Sequence, residues 1–233
     1  SCMGVSCMTE PQNPFANKEL SSEERMVLAA ERQSNIEAEQ NGGKPSKQSL
    51  ENLRKAYENA DNDFKAAETY ELQYNLYPDS CNLNNLGVLY HNAGVYSKAV
   101  EFYELALEES PKSHVTLSNL GHTRMLMRDY QKAEECLRKA HEIAPYHGIT
   151  LIKLAELEER QGKRTESRQH KEEAYDILKK QWEKNTLGKV ELGWFSSLAS
   201  ELGHYDIYQQ IKNSSENSHT DELYNNDNLT KSI

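Results

Sequence analysis

The feature that most constrains this chain is a set of apolar and small residues that returns after 34 positions. Their spacing within one copy is helical rather than strand-like. A proline closes each copy, and it stops a helix because it cannot donate the next backbone hydrogen bond. We therefore predict an array of helical repeats without strands. The first full copy contains Leu83, Leu86, Gly87, Ala99, Tyr103, Ala106 and Pro111, and the second contains Leu117, Leu120, Gly121, Ala133, Leu137, Ala140 and Pro145.

This pattern resembles the tetratricopeptide repeat, a 34-residue helix–turn–helix unit. The resemblance implies an all-α fold, a right-handed α-solenoid of about four to five such repeats, here with an additional N-terminal helix. Gly87 and Gly121 are expected where two helices approach each other closely. Stacked repeats cover each other's apolar faces and leave an extended concave surface. In this family the concave surface usually binds protein.

Weaker copies extend the array in both directions. Leu50, Leu53 and Pro78 fit the frame one residue shorter, whereas Leu151, Leu154 and Ala155 continue it downstream. The fourth copy lacks a closing proline, so its second helix is predicted to continue past Trp182. The predicted organisation is a leader, helix and Gly/Pro linker at 1–46, four repeats within 47–181 (47–79, 80–113, 114–147 and 148–181), a divergent C-terminal capping repeat at 182–213 and a disordered tail at 214–233.

Composition narrows the class of partner. The chain has 27 basic and 37 acidic residues and a net charge of −10. Nucleic-acid binding needs a basic stripe, which the sequence lacks, so we expect no nucleic-acid partner. No apolar run approaches the roughly 18 residues that a transmembrane helix needs, so no membrane span is predicted. We expect a soluble, cytoplasmic protein.

The N-terminal region leaves several alternatives open. Four cysteines show no metal-binding spacing and are interpreted as reduced thiols. Cys2 could instead be a lipid-anchoring residue exposed by removal of a signal peptide, and residues 1–8 could equally be a cloning remnant before a start at Met3 or Met8. Ser21 and Glu24 form a capping box at the start of a helix. That helix either caps the first repeat or belongs to a neighbouring domain.

In the resembled family, the first helix of each repeat lines the concave groove. An asparagine stands immediately before a frame leucine in three copies, and a lysine takes its place in the fourth. A carboxamide can bond both the N–H and the C=O of an extended peptide, and each bond contributes about 1 kcal/mol. The alternative is that these side chains bond a neighbouring helix or water. The predicted peptide-binding groove comprises Asn52, Asn85, Val88, His91, Asn119, His122, Met125, Ile149 and Lys153.

These features predict a non-catalytic scaffold that binds a peptide or segment of another protein in its concave groove. The alternative is an accessory or co-chaperone module of a larger chaperone or assembly machine. The carboxylate clamp of chaperone-binding relatives is largely missing, because Val88, His122 and Ile152 stand at positions that should be polar or basic. His91 and His122 lack a third metal ligand. We predict no enzyme activity, no metal and no cofactor, and a possible homodimer through the C-terminal cap.

Overall fold

The computed structural model describes residues 20–214, and all regular secondary structure within them is helical. The predicted all-α repeat fold is therefore confirmed. A 3-10 turn, Pro78–Ser80, lies between the third and fourth α-helices, and residues 205–214 are also helical. The α-helices are α1 (Ser22–Gln40), α2 (Lys47–Asn59), α3 (Asp63–Leu76), α4 (Leu83–Asn92), α5 (Tyr96–Glu109), α6 (His114–Leu126), α7 (Tyr130–Ile143), α8 (Gly148–Arg160), α9 (Arg164–Glu183) and α10 (Lys189–Glu201).

The chain divides after Cys81 into two compact units, Ser1–Cys81 and Asn82–Ile233. The described part of the first unit contains α1, α2 and α3, and the second contains α4 to α10 with the helical residues 205–214. We number the helix pairs α2/α3, α4/α5, α6/α7 and α8/α9 as repeats one to four. Within the second unit, α5 packs against α6 and α7 against α8, so repeats two to four stack in chain order.

In the first unit, α1 packs against the first repeat. The capping box is present, since Ser21 Oγ accepts from the Glu24 N–H at 3.1 Å and the Glu24 carboxylate accepts from the Ser21 N–H at 2.7 Å. Ser46 Oγ, at the start of α2, donates to Glu37 of α1 at 2.6 Å. The Tyr57 hydroxyl of α2 also donates to Glu31 of α1. These bonds favour the interpretation of α1 as a cap on the first repeat.

In the second unit, small residues allow each first helix to lie close to its own second helix. A Cβ on Gly87 would lie 2.6 Å from the Tyr103 ring, and a Cβ on Gly121 would lie 2.7 Å from Leu137 Cγ. Real Cβ atoms do not tolerate such distances, so a larger residue would push the pair apart. The close approach predicted at these glycines is confirmed.

The turn inside each repeat has a left-handed residue at the same place. Gly94, Arg128 and Gly162 have φ angles of +74°, +65° and +80°, and Asp61 of the first repeat has +52°. The following N–H bonds a carbonyl five residues back, as from Val95 to Tyr90 at 2.9 Å. This is the Schellman ending of a helix. The backbone geometry therefore repeats even where glycine does not.

The second helix of the fourth repeat departs from the others. It continues past Trp182 to Glu183, as predicted. Lys171 takes the place of Leu137 and is 7% exposed. Its ammonium group pairs with Glu159 of α8 at 2.6 Å and with Glu201 of α10. Burial acts to lower the pKa of Lys171, but hydrogen bonds to these carboxylates raise it above its ordinary value overall. A polar contact therefore ties α10 to the fourth repeat.

An apolar core completes the C-terminal end of the second unit. Phe195 and Leu198 of α10 and Ile207 and Ile211 of the following helical residues pack with Leu178 of α9. Among residues 20–214, no helix combines the length and apolar character needed to cross a membrane. The predictions about Cys2, the leader before residue 20 and the tail at 215–233 lie outside the described residues.

Candidate protein-binding surface

Three side chains on successive first helices form a hydrogen-bonded row. Asn119 Nδ2 donates to Asn84 Oδ1 at 3.3 Å, and Lys153 Nζ donates to Asn119 Oδ1 at 2.9 Å. We call Asn84, Asn119 and Lys153 the polar row. Its members come from α4, α6 and α8, so for Asn119 the structure corresponds to the alternative in which the asparagine bonds a neighbouring helix. The partner of Asn119 on α4 is Asn84 rather than the predicted Asn85.

Lys153 is almost completely buried, with 5% of its surface exposed. Burial lowers the pKa of Lys153 to about 8, although Glu156 acts to raise it. The ammonium group is held by Asn119. It is therefore not available to a peptide in solvent, which corrects the expectation that Lys153 contacts a ligand directly. Its contribution is to hold the first helices of repeats three and four together.

His91 of α4 and His122 of α6 lie side by side, with ring centroids 5.1 Å apart. His91 Nδ1 is 2.8 Å from Thr123 Oγ1, and that hydroxyl donates to the Asn119 carbonyl at 2.9 Å. The Thr123 hydroxyl has one proton to share between these two contacts, and its role towards His91 depends on the tautomer of that imidazole. Burial, followed by His122 and Lys153, lowers the pKa of His91 to about 4. His91 is neutral at pH 7.

Glu156 of α8 supplies the negative charge in this region. Its carboxylate lies 3.7 Å from His122 Nε2 and 2.8 Å from the Arg160 guanidinium. Hydrogen bonding to His122 is the largest cause that lowers the pKa of Glu156 to about 2, and Arg160 acts in the same direction against burial. Glu156 is therefore ionised throughout the physiological pH range.

Trp194 of α10 reaches the same region. Its indole meets the His122 ring edge-on, with centroids 6.1 Å apart. Trp182 and Trp194 both pack against the apolar core at the C-terminal end. Trp182 lies 6.1 Å from Phe195 between ring centroids, whereas Trp194 also covers His122. Beside it is a cleft of about 160 Å³ lined by Ile152, Glu156, Glu159, Lys171, Trp194, Ser197, Leu198 and Glu201.

Several side chains of α4 and α6 remain accessible. Asn85 is exposed and Val88 is half-buried on α4. Val115, at the start of α6, is 41% exposed. The Asn85 N–H bonds the helix-capping Asn82 side chain, but the Asn85 carboxamide has no partner within residues 20–214. We call Asn85, Val88 and Val115 the accessible patch.

Two other predicted groove residues are core residues instead. Met125 is 0% exposed and packs among Ala133, Leu137, Leu154 and Leu157. It lies four residues after Gly121 and so shares the helix face that packs against the second helix. Ile149 is 8% exposed. Met125 holds repeats three and four together, and neither buried side chain is available to a ligand.

Asn52 was predicted to continue the same ladder. It lies on α2 of the first unit, is exposed and accepts a bond from Gln48 at 3.0 Å. Reasoning from the sequence missed Thr123 and Trp194. A hydroxyl four residues after Asn119 is a recognisable sign of a bond to its carbonyl. Trp194 lies outside the 34-residue frame and had no such sign.

Groups that could support chemistry are few among the described residues. Within residues 20–214, no three His, Cys, Asp or Glu side chains are grouped to hold a metal ion. Burial raises the pKa of the Cys136 thiol, so this cysteine is protonated at neutral pH and is a poor nucleophile.

Comparison with protein-family models matches the chain to the tetratricopeptide repeat over residues 83–114 and again over residues 113–180. No curated protein sequence matches it. These two segments cover α4 to α8 and most of α9.

Solved structures that resemble the chain include two of MamA. The MamA RS-1 ArsTM double mutant is 16% identical, with 69% of this chain and 87% of that chain covered and a TM-score of 0.54. MamA MSR-1 C2 is 19% identical, with 67% and 94% covered and a TM-score of 0.49. At such identities the likeness concerns the fold alone. The repeat frame, the family match and the stacked helix pairs agree that residues 83–180 of this chain are tetratricopeptide repeats.

Proposed function

We propose that this protein is a non-catalytic scaffold that binds a segment of a partner protein on the first helices of repeats two and three. The observation that supports this most directly is that the Asn85 carboxamide, which is exposed on α4, bonds no other residue of the part of the chain that the structure describes. The equivalent side chains in the next two repeats, Asn119 and Lys153, are held within the polar row. Among the ladder positions of the second unit, Asn85 is thus the one that remains open to a ligand.

The accessible patch suits an extended segment. The Asn85 carboxamide can donate to and accept from a peptide backbone, and Val88 and Val115 offer apolar contacts beside it. The polar row holds α4 and α6 at a fixed spacing. The helices that carry Asn85, Val88 and Val115 therefore lose no conformational entropy when a partner binds. Few polar bonds at about 1 kcal/mol each are involved, so we expect an affinity near micromolar, which corresponds to about −8 kcal/mol.

The position of Trp194 supports the choice of repeats two and three. The indole covers His122, while Ile149 and Lys153 of α8 are buried. A partner therefore finds its accessible side chains on α4 and the start of α6 rather than on the fourth repeat.

Site-specific photocrosslinking tests this proposal. A photoreactive amino acid in place of Val115 should crosslink to one partner segment, whereas the same amino acid in place of the exposed Gln131 of α7 should not. With the captured segment as ligand, Asn85→Ala should weaken binding about fivefold, the equivalent of about 1 kcal/mol, and Gln131→Ala should leave binding unchanged. Equal crosslinking from both positions, or full affinity of Asn85→Ala, would place binding elsewhere.

A second candidate is the accessory module of a chaperone or assembly machine, attached through α1. The observation in its favour is that α1 exposes Met26, Leu28 and Ile36 at 46%, 48% and 41%. Met26→Ser with Leu28→Ser removes apolar surface while leaving the polar bonds to α2 in place. If such a variant still co-purifies with the same large assembly as the unmodified chain, α1 is not the attachment point.

The proposal includes a cytoplasmic location and a homodimer. Within the described residues, Cys136 is not part of a disulfide, as expected in a reducing compartment. Val190 and Tyr205 at the C-terminal cap are 68% and 64% exposed. Sedimentation of the unmodified chain and of Val190→Ser with Tyr205→Ser tests the dimer: a monomer in both cases contradicts it.

A further inference from the structure

Histidine side chains meet in pairs where neighbouring repeats stack. Three pairs of imidazole rings join side chains from successive repeats, with centroid distances of 5.1, 5.0 and 6.5 Å. The first two pairs involve the first helices and the third involves the second helices. The pairs are His91 with His122, His114 with His147, and His141 with His170.

The first two pairs share a buried positive charge. His91 faces His122 and Thr123 of α6, Tyr96 of α5 and Lys153 of α8. Besides burial, the positive charge of Lys153 lowers the pKa of both His91 and His147. An imidazolium at either place would therefore add a like charge to one that is already buried.

His147, which caps α8, has a comparable environment. Its Nδ1 lies 2.7 Å from Thr150 Oγ1, and it faces His114 of α6, Lys153 of α8 and Glu191 of α10. Burial is the largest cause that lowers the pKa of His147 to about 4, followed by His114 and Lys153, while Glu191 acts in the opposite direction. His147 is neutral at pH 7.

The third pair is built differently. His170 Nδ1 lies 2.8 Å from a carboxylate oxygen of Glu158, which is 3% exposed. Lys153, which acts on His91 and His147, is not among the described groups that contact this third pair, and the third pair is not part of the inference below.

We propose that His91 and His147, which contact the His122 and His114 rings beside the buried Lys153, form a pH-sensitive element that holds α4, α6 and α8 together while these two histidines are neutral and weakens this stacking when they are protonated. The inference rests on the histidine and lysine contacts and does not depend on what the accessible patch binds.

The direction of the effect follows from the pKa values. The pKa of His91 and of His147 is about 4 in the folded chain and about 6.5 in the unfolded chain. Between these values the unfolded chain binds more protons, so the stabilising effect is complete above pH 6.5 and is lost as the pH falls towards 4. Glu156, with a pKa of about 2, stays ionised in this window and does not mask it.

The test compares thermal unfolding of the full chain at pH 7.5 and pH 5.5. For the unmodified chain the two histidines should account for a fall in Tm of roughly 5–11 °C, and His91→Gln with His147→Gln should remove that part. His204→Gln, at an exposed histidine, is the matched control and should retain the full fall. The same fall in the double variant as in the unmodified chain would overturn the proposal.

A second measurement needs no variant and covers the case in which the double variant does not fold. NMR titration of the imidazole rings in the unmodified chain should show His91 and His147 still neutral at pH 5.5. Rings of His91 and His147 that take up protons near pH 6.5 would overturn the proposal, whatever the behaviour of the variants.

Discussion

Arg128 occupies a turn position where its neighbours in the array have glycine. Its φ is +65°, and Gly94 and Gly162 at the equivalent positions have +74° and +80°. A residue with a Cβ in this left-handed region costs about 1–2 kcal/mol. Glycine avoids that cost, but it gives the unfolded chain more conformational freedom, and this reduces the gain in stability by about 0.5–1 kcal/mol. Arg128→Gly should therefore raise the free energy of unfolding by roughly 0.5–1 kcal/mol.

The magnitude depends on the backbone alone, since Arg128 is exposed and makes no ion pair with another described residue. Urea denaturation and thermal melting measure the effect, and 1 kcal/mol corresponds to about 2–4 °C in a chain of this size. Gly162→Ala is the reverse experiment. A Cβ at Gly162 would meet nothing within 4 Å, so it should lose about 1 kcal/mol through backbone strain only. If Arg128→Gly is neutral or destabilising while Gly162→Ala destabilises, the backbone argument is wrong for Arg128.

Two further predictions concern the interior of the second unit. Gly121→Ala should lower the free energy of unfolding by about 1–3 kcal/mol, since its Cβ would lie 2.7 Å from Leu137 Cγ. Gly193→Ala, where a Cβ would meet nothing within 4 Å, should stabilise α10 by up to about 1 kcal/mol. Urea denaturation should show changes of opposite sign for the two variants, and equal changes would contradict the packing argument. Lys153→Met should raise stability at pH 7 by about 1–3 kcal/mol and abolish the gain in stability of the unmodified chain between pH 8 and pH 10.5, because the folded pKa of about 8 lies below the ordinary value of 10.5. Urea unfolding across this pH range measures both effects. A variant that is less stable than the unmodified chain and has an unchanged pH profile would mean that the bond to Asn119 outweighs the cost of burying the charge of Lys153.

Repetition along the sequence predicted the parts of the fold that depend on helix faces. The 34-residue spacing placed Gly87 and Gly121 against their second helices, and the missing proline predicted the length of α9. These predictions succeed because a fixed spacing assigns equivalent residues to equivalent faces. The same reasoning predicted one polar side chain per repeat at Asn119 and Lys153.

The contacts between helices were harder to predict. Asn119 bonds Asn84, one residue away from the predicted Asn85, because the register between two packed helices depends on how side chains interlock rather than on their spacing along the chain. The repeat frame also could not predict which side chains are exposed to solvent. Lys153 is buried and Trp194 covers His122, and Trp194 belongs to α10, which does not follow the 34-residue frame.

Lys171 makes one end of the array sensitive to salt. Where the earlier repeats have Tyr103 and Leu137, the fourth has a lysine paired with Glu159 and Glu201, whose side chains are 50% and 52% exposed. Charges near solvent attract less strongly as salt rises, since the Debye length falls from about 10 Å at 0.1 M to about 3 Å at 1 M. Apolar contacts are not screened in this way. Rising ionic strength therefore weakens the polar part of the contact between α10 and the fourth repeat and leaves the apolar contacts of Phe195 and Leu198 to hold it.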